Sequence, residues 1–278
     1  MDEAKDRSYP MEYTEEELRR LRFQGRYWGE ISLEVLREAG IGTGMRVLDL
    51  GCGAGDFSLQ AAELVGPSGA VLGVDRSPRA VQRAGRRAAA LKVNHLRFQA
   101  ADLETIDLAL TFDALIGRFI LMFLADPTGT LARMVDRLEP NGVVAFVETD
   151  LAVARSIPAV PRVETALEWI RETFRRAGIS LDLGPRLWRV FRDAGLQEPR
   201  LVVRQKLHPA PCREGVRWVS ELVRSLLPEM ERLGVASVEE AGIETLEEEL
   251  HQELLSREAT LCTPLVVGAC SNVRRRRF

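Results

Sequence analysis

The sequence predicts an α/β fold, a mostly parallel sheet with helices on both faces, and three observations predict it. After Gly40 the chain alternates short apolar runs with helical patterns, the signature of strands joined by crossover helices. One run, Val47 to Phe57, reads Val-Leu-Asp-Leu-Gly-Cys-Gly-Ala-Gly-Asp-Phe, so an apolar strand breaks into glycines at 51, 53 and 55 before a helical pattern resumes. Carboxylates stand after the next two runs, Asp75 and Asp102, where sheets of this kind bind ligands.

Taken in order, residues 1 to 13 are polar, and Thr14 with Glu17 has the form of a capping box that opens a helical stretch running to Ala39. Its apolar positions are Leu18, Leu21, Ile31 and Val35, and Gly25 and Gly29 are expected to break it into two helices. Strands are expected at about Arg46 to Leu50, Val71 to Asp75, Leu96 to Ala100, Phe112 to Gly117 and Val143 to Glu148. Helices are expected between them at about Asp56 to Val65, Pro78 to Leu91 and Thr128 to Leu138. Ser77-Pro78 supplies an N-cap followed by proline at the first helical position, and Asn141-Gly142 marks a turn. Beyond Asp150 the pattern turns helical, with Val163, Leu167, Ile170 and Phe174 at helical spacing and Gly178 as a stop. A helix near Pro185 to Ala194, a strand near Arg200 to Leu207, helices at Glu214 to Leu226 and Val238 to Leu255, and a strand at Pro264 to Cys270 complete the chain.

Length and composition set limits. A chain of 278 residues buries one substantial core, with room for an appended cap. The net charge of -3 arises from many charges of both signs, which calls for neither a nucleic-acid nor a membrane partner and favours a small molecule. Cys52, Cys212, Cys262 and Cys270 form no Cys-x-x-Cys pair, and the first residues are acidic and polar, so a reduced, cytoplasmic protein is expected. His95, His208 and His251 show no paired spacing with one another or with cysteine, and no metal site is expected. The run Arg274 to Arg277 reads as a solvated end.

The glycine turn is a candidate nucleotide cradle. Glycine adopts positive φ and lets the backbone approach a ligand, while the following helix N-terminus presents free N–H groups. A dinucleotide fingerprint would place its third glycine at position 56. That position is Asp56, and the glycine stands one residue early.

The pattern Asp-x-Gly-x-Gly-x-Gly, here Asp49, Gly51, Gly53 and Gly55, resembles the first motif of class I S-adenosylmethionine (SAM) methyltransferases. Asp75 and Asp102, in Gln-Ala-Ala-Asp-Leu, stand where that family places its ribose and adenine carboxylates. The likeness covers about Ile41 to Asp150 and is nearest to the small-molecule enzymes of ubiquinone, menaquinone and natural-product biosynthesis. It implies a Rossmann-like seven-stranded, mostly parallel sheet whose last two strands are adjacent. It also implies SAM as cofactor, held by Asp49, Gly51, Cys52, Gly53, Gly55, Asp75, Arg76, Asp102, Leu103 and Arg118, with Gln24 and Tyr27 in a flap. Arg118 departs from the Asn or Asp common in amino-group methylases. The domain plan that follows is a helical flap at 1–40, a SAM-binding core at 41–150, cap helices at 151–180, core completion at 181–207, a helical cap insertion at 208–263 and a last strand with the basic tail at 264–278.

Methyl transfer from a sulfonium needs alignment and exclusion of water more than a dedicated triad. A base is required only when the nucleophile must lose a proton early, and Glu148 and Asp150, at the end of the fifth strand, are the candidates. Trp169, Phe174, Trp188, Trp218 and Met230 are candidate pocket residues as well as core ones. Three readings follow: a methyltransferase for an apolar or aromatic metabolite, working alone or as a homo-oligomer; an RNA methyltransferase; and a SAM-binding protein that transfers no methyl group.

Overall fold

A computed structural model describes residues 15–273; the Thr14 cap and the basic tail lie outside them. The first half holds α1 (Glu15–Tyr27), α2 (Gly29–Glu38), β1 (Arg46–Leu50), α3 (Asp56–Val65), β2 (Ala70–Asp75), α4 (Pro78–Ala90), β3 (Leu96–Ala100), β4 (Phe112–Arg118), α5 (Pro127–Val135) and β5 (Leu138–Asp150). The second half holds β6 (Arg155–Ile157), α6 (Pro161–Arg176), α7 (Leu183–Asp193), β7 (Arg200–Arg204), β8 (Leu207–Pro209), α8 (Arg213–Arg232), α9 (Val238–Ala241), α10 (Leu246–Ser256), β9 (Thr260–Cys262) and β10 (Leu265–Asn272). The chain forms two compact units. One, the core, takes Leu21–Glu148, Leu183–Val203 and the chain from Val267; the other, largely helical, takes the chain up to Arg20, Thr149–Asp182 and Arg204–Val266.

The core carries a seven-stranded sheet in the order β3-β2-β1-β4-β5-β10-β7. The pairings β1–β2, β1–β4, β2–β3 and β4–β5 are all parallel. Strands covered on both faces need apolar residues at successive positions, and β4 supplies Ala114, Leu115 and Ile116, all fully buried. The order reverses direction beside β1, which places the glycine turn at the topological switch point, the crevice where open α/β sheets bind ligands.

Local chemistry fixes the helix starts. Ser77 accepts from the Ala80 N–H at 3.2 Å and Pro78 follows, so α4 begins where the dipeptide predicts. Gly25 does not break α1, contrary to the sequence expectation. It lies within the helix because a Cβ there would stand 2.4 Å from the Asp56 carboxyl carbon at the start of α3. The break falls instead at Trp28, which is buried, packs edge-on against Tyr27 and Phe119, and accepts from Ser32 through its carbonyl.

The helical unit is organised by α8. Its buried face includes Val216, Trp218, Val219, Val223, Leu226 and Met230, and α6 packs along it with Val163, Leu167, Ile170 and Phe174 buried. Two arginines of α6 tie in the chain ends around it. Arg176 donates to the carbonyls of Leu233 and Gly234 at the end of α8, at 2.8 and 3.0 Å. Arg162 donates to those of Glu240 and Ala241 at the end of α9. Both satisfy carbonyls that a helix terminus leaves open. Glu17 and Arg20 form a buried pair at 2.7 Å, and Ser225 of α8 donates to the same carboxylate.

Two further expectations are corrected here. The single helix expected over Val238 to Leu255 is two, because Ser237 and Glu240 form a complete capping box and Gly242, at φ +56, ends the short helix. The single strand expected over Arg200 to Leu207 is also two: β7 joins the large sheet and β8 joins an antiparallel three-stranded sheet in the order β6-β9-β8.

Two glycine substitutions test the packing with opposite signs. A Cβ on Gly268 of β10 would lie 2.3 Å from Val35 Cγ2 of α2, so Gly268→Ala is expected to cost about 1–3 kcal/mol. Gly85 of α4 has open space around it, and Gly85→Ala should stabilise by up to about 1 kcal/mol. Urea denaturation measures both.

Candidate functional site

The turn after β1 is shaped by what surrounds each glycine. Gly51 has φ +68, and a Cβ there would stand 2.4 Å from Ile120 Cγ1. Gly55, at φ +82, would press its Cβ on Phe98 and Ala84 at 2.9 and 3.0 Å. Gly53 differs: φ is +50, and the nearest atom to a Cβ would be Leu21 Cδ1 at 3.7 Å. The turn is thus packed from below at 51 and 55 and roomy at 53. The Gly51 and Cys52 N–H groups both donate to the Val74 carbonyl, at 2.8 and 3.0 Å.

Asp75, the last residue of β2, reaches across to this turn. Its Oδ2 accepts from the Gly53 N–H at 2.9 Å and its Oδ1 from the Ser77 N–H at 2.9 Å. Arg76 beside it is exposed. Asp102 is exposed after β3 and accepts from the Glu104 N–H at 2.8 Å. Arg133 of α5 donates to the carbonyls of Leu103 and Ile106, which fixes the loop's path. Leu103 itself is buried.

Beneath the turn, Asp49 is buried and accepts from Ser58 Oγ at 2.5 Å, while its Oδ1 meets no donor. Burial raises its pKa to about 7, against the pull of Ser58 and Arg118. Cys52 is buried, and its thiol is pushed well up by that burial and then by the Asp49 and Asp75 charges. It is held as a neutral thiol.

Glu148 is fully buried. Its Oε1 accepts from the N–H groups of Ile120 and Leu121 at 2.9 and 2.7 Å, at the start of a one-turn 3-10 helix, Leu121–Phe123. Its Oε2 has no partner, and burial lifts its pKa to about 8. The carboxyl therefore holds the segment whose Ile120 side chain fills the space under Gly51. Asp150, in the helical unit, caps the 3-10 turn Leu151–Val153 by accepting from the Ala152 N–H at 3.0 Å, and burial followed by Asp182 raises its pKa.

Arg118 ends β4, with its guanidinium 5.4 Å from the Phe57 ring centroid and 5.9 Å from that of Phe119. It donates to Ser32 Oγ at 3.1 Å. Tyr27 is buried and stacks on Phe23, and Gln24 is half-buried on the same helix. Of the residues singled out by sequence, the core unit brings together Asp49, the three glycines, Asp75 and Arg118 at the carboxyl ends of β1, β2 and β4. Ser58, Phe57, Phe119 and Ile120 complete this arrangement without a motif of their own; the helical phase after Gly55 is the one signal that points to Ser58.

In the helical unit, Phe174, Trp218 and Met230 are buried, and Trp169 is covered by Arg162. Trp188 lies in the core unit beneath Arg192, 4.5 Å away. The turn at Pro209–Cys212 sets His208 Nδ1 3.3 Å from Cys212 Sγ, a contact the sequence spacing did not suggest. The Glu214 carboxylate lies within 4.8 Å of both.

The buried carboxyls Asp49 and Glu148 imply a pH dependence of stability. Both have folded pKa values above their unfolded ones, so the folded state retains protons that the unfolded chain releases. The stability that these two groups contribute is therefore greatest below about pH 4.5 and falls as pH rises toward about 8, by at most about 1.4 kcal/mol per pH unit for each group. Glu148→Gln should remove one group's share of this slope while keeping the bonds to Ile120 and Leu121. Urea denaturation from pH 5 to 8, taken in steps of about one unit, would contradict the assignment if variant and wild type fell with equal slopes.

Comparison with known proteins gives the fold a lineage. A methyltransferase-domain model matches residues 41–177. A trans-aconitate 2-methyltransferase of Deinococcus radiodurans is 31% identical over 195 residues, 68% of this chain and 72% of that protein. An aklanonic acid methyltransferase of Streptomyces sp. strain C5 is 36% identical over 126 residues, 45% of this chain, and the match spans 57% of that relative's length. Among solved structures, the YcgJ protein of Bacillus subtilis superposes with a TM-score of 0.58 at 18% identity, covering 88% of this chain and 99% of that one. The cyclase SpnF superposes at 0.53 and 17% identity, covering 88% and 81%; both show the shared fold. No described helix is long and apolar enough to cross a membrane. With its switch-point glycine turn and these relatives, the chain belongs to the class I SAM-dependent methyltransferases.

Proposed function

We propose that this protein transfers a methyl group from SAM to a small-molecule acceptor, an apolar or aromatic metabolite of a biosynthetic pathway. The observation that carries the reading is the Asp75 carboxylate, fixed by the Gly53 and Ser77 N–H groups beside the roomiest point of the turn. A carboxylate so placed accepts ribose hydroxyls, and the absent Cβ at Gly53 leaves space for a ligand backbone or sugar. The Asp49 Oδ1 buried without a donor fits the same ligand, because an unpaired carboxylate in a low-dielectric site favours a positively charged neighbour. Asp102 and the Leu103 N–H would receive the adenine edge. The named relatives whose matches support a small acceptor act, by name, on aklanonic acid and trans-aconitate.

When bound, SAM supplies a methyl group already activated by its sulfonium. The chain's own task is to hold and exclude: the glycine turn and Asp75 fix one reactant, and the rings of Phe57, Phe119 and Trp28 keep water from the β4 end of the site.

Asp75→Ala should weaken SAM binding by about 1.5 to 3 kcal/mol, the range for a hydrogen bond to a charged group. Calorimetry with SAM and NADH reads it, and unchanged SAM affinity, or binding of NADH alone, would overturn the cofactor reading. Incubation with methyl-labelled SAM and a metabolite extract should yield a labelled small molecule. Because SpnF shares the fold and is named a cyclase, a product that forms without SAM consumption would overturn methyl transfer.

A further inference from the structure

We propose that His208, Cys212 and Glu214 of the helical unit bind a divalent metal ion of the zinc class. The three side chains come from one stretch of chain that folds back on itself. His208 stands in the middle of β8, opposite Leu261 of β9, and the Cys212 N–H then donates to the Pro209 carbonyl at 2.8 Å, which closes the turn. Cys212 is the N-cap of α8, yet its side chain makes no capping bond. Its Sγ lies instead 3.3 Å from His208 Nδ1. Glu214 follows in the first turn of α8, and one ligand atom from each of the three residues lies within 4.8 Å of the other two.

Spacing and donor type agree on the kind of ion. Zinc bonds of about 2.0 Å to nitrogen and about 2.3 Å to sulfur, set tetrahedrally, put neighbouring ligand atoms roughly 3.5 Å apart. The His208–Cys212 pair already stands at that spacing. Glu214 is exposed, and rotation about its side-chain bonds closes the remaining distance. Thiolate and imidazole favour zinc over magnesium or calcium, which take oxygen ligands. Three protein ligands leave the fourth tetrahedral position to water or an outside ligand. The packing around the histidine is built for a close approach. His208 is 6% exposed, and a Cβ on Gly215 would stand 2.8 Å from its Cγ and Cδ2, so α8 comes this near the imidazole because residue 215 has no side chain. Arg213, the cation between Cys212 and Glu214, is drawn away to Glu248 at 2.8 Å. On binding, the Cys212 S–H bond breaks and a sulfur–metal bond forms, the proton passing to solvent, while His208 binds through Nδ1 as the neutral ring. The ion ties β8 to the first turn of α8.

The test uses the full chain, free of any polyhistidine tag, stripped with a chelator and then titrated with Zn(II) and Co(II). One zinc should bind per chain, raise Tm and release protons to the buffer, and Co(II) should give the near-ultraviolet charge-transfer band of a thiolate ligand. Magnesium should do neither. Cys212→Ser should abolish the band and weaken zinc binding by more than the roughly 10- to 100-fold that follows loss of a supporting contact around a metal. Glu214→Gln, at an exposed position that packing does not need, should weaken zinc binding and keep the band. Zinc should also protect Cys212 from iodoacetamide, read by mass spectrometry. Wild-type protein that binds no zinc, a cobalt band that survives Cys212→Ser, or alkylation of Cys212 that zinc does not slow would overturn the inference. Because His208 is buried, His208→Gln is read against the Tm of the metal-free variant. Lost zinc affinity in a variant that still folds supports its place as a ligand, whereas a lowered Tm with zinc affinity intact would show packing alone and overturn it.

Discussion

The hydrogen bond from the Gly53 N–H to Asp75 is the interaction on which the rest of the site depends. It ties the turn after β1 to the end of β2, and the same carboxylate then takes the Ser77 N–H, so one side chain joins the turn, the strand end and the cap of α4. From the other side the turn is held by sterics: Ile120 fills the space that a Cβ at Gly51 would need, and Ile120 is placed by Glu148 of β5. The parallel register of β2, β1, β4 and β5 brings these contributions to one edge. Geometry that a ligand needs is therefore built from bonds between neighbouring strands, and the sheet cannot slip without losing it.

Buried ionisable groups are the second theme. Asp49, Glu148 and Arg118 occupy positions where apolar residues would stabilise the core more simply, and two of them keep an oxygen with no donor. An unsatisfied buried polar group costs roughly 1–3 kcal/mol, a cost that folding alone does not require. Glu148 offsets part of it by satisfying backbone N–H groups of a one-turn helix that no other side chain caps. Asp49 keeps one oxygen without a donor, and the Arg118 guanidinium lies beside two rings and the Ser32 hydroxyl.

Much of the core was legible in the sequence because two local signals agreed there: apolar runs of strand length and helix starts such as Ser77-Pro78. The glycine turn was legible for the same reason, since positive φ selects glycine. What was not legible depends on contacts distant in sequence. The small sheet uses strands of three residues, Arg155–Ile157, Leu207–Pro209 and Thr260–Cys262, too short to show alternation and drawn from separate segments. Gly25 read as a helix breaker because its real reason, the Asp56 side chain against it, lies in another helix. Glu148 read only as a strand-end candidate for a base, because periodicity reports which face a residue is on and not that the Ile120 and Leu121 N–H groups would close on it. The aromatic contact between Trp28 and Phe119 has no sequence signal at all.

The most direct measurement of the central claim is a crystal structure of the protein grown with S-adenosylhomocysteine. The account predicts the ribose hydroxyls on the Asp75 carboxylate, with the Gly53 and Ser77 N–H bonds to that carboxylate retained. Ligand density away from the ends of β1 and β2, or a ribose held by other groups while Asp75 stays bound only to backbone, would contradict it.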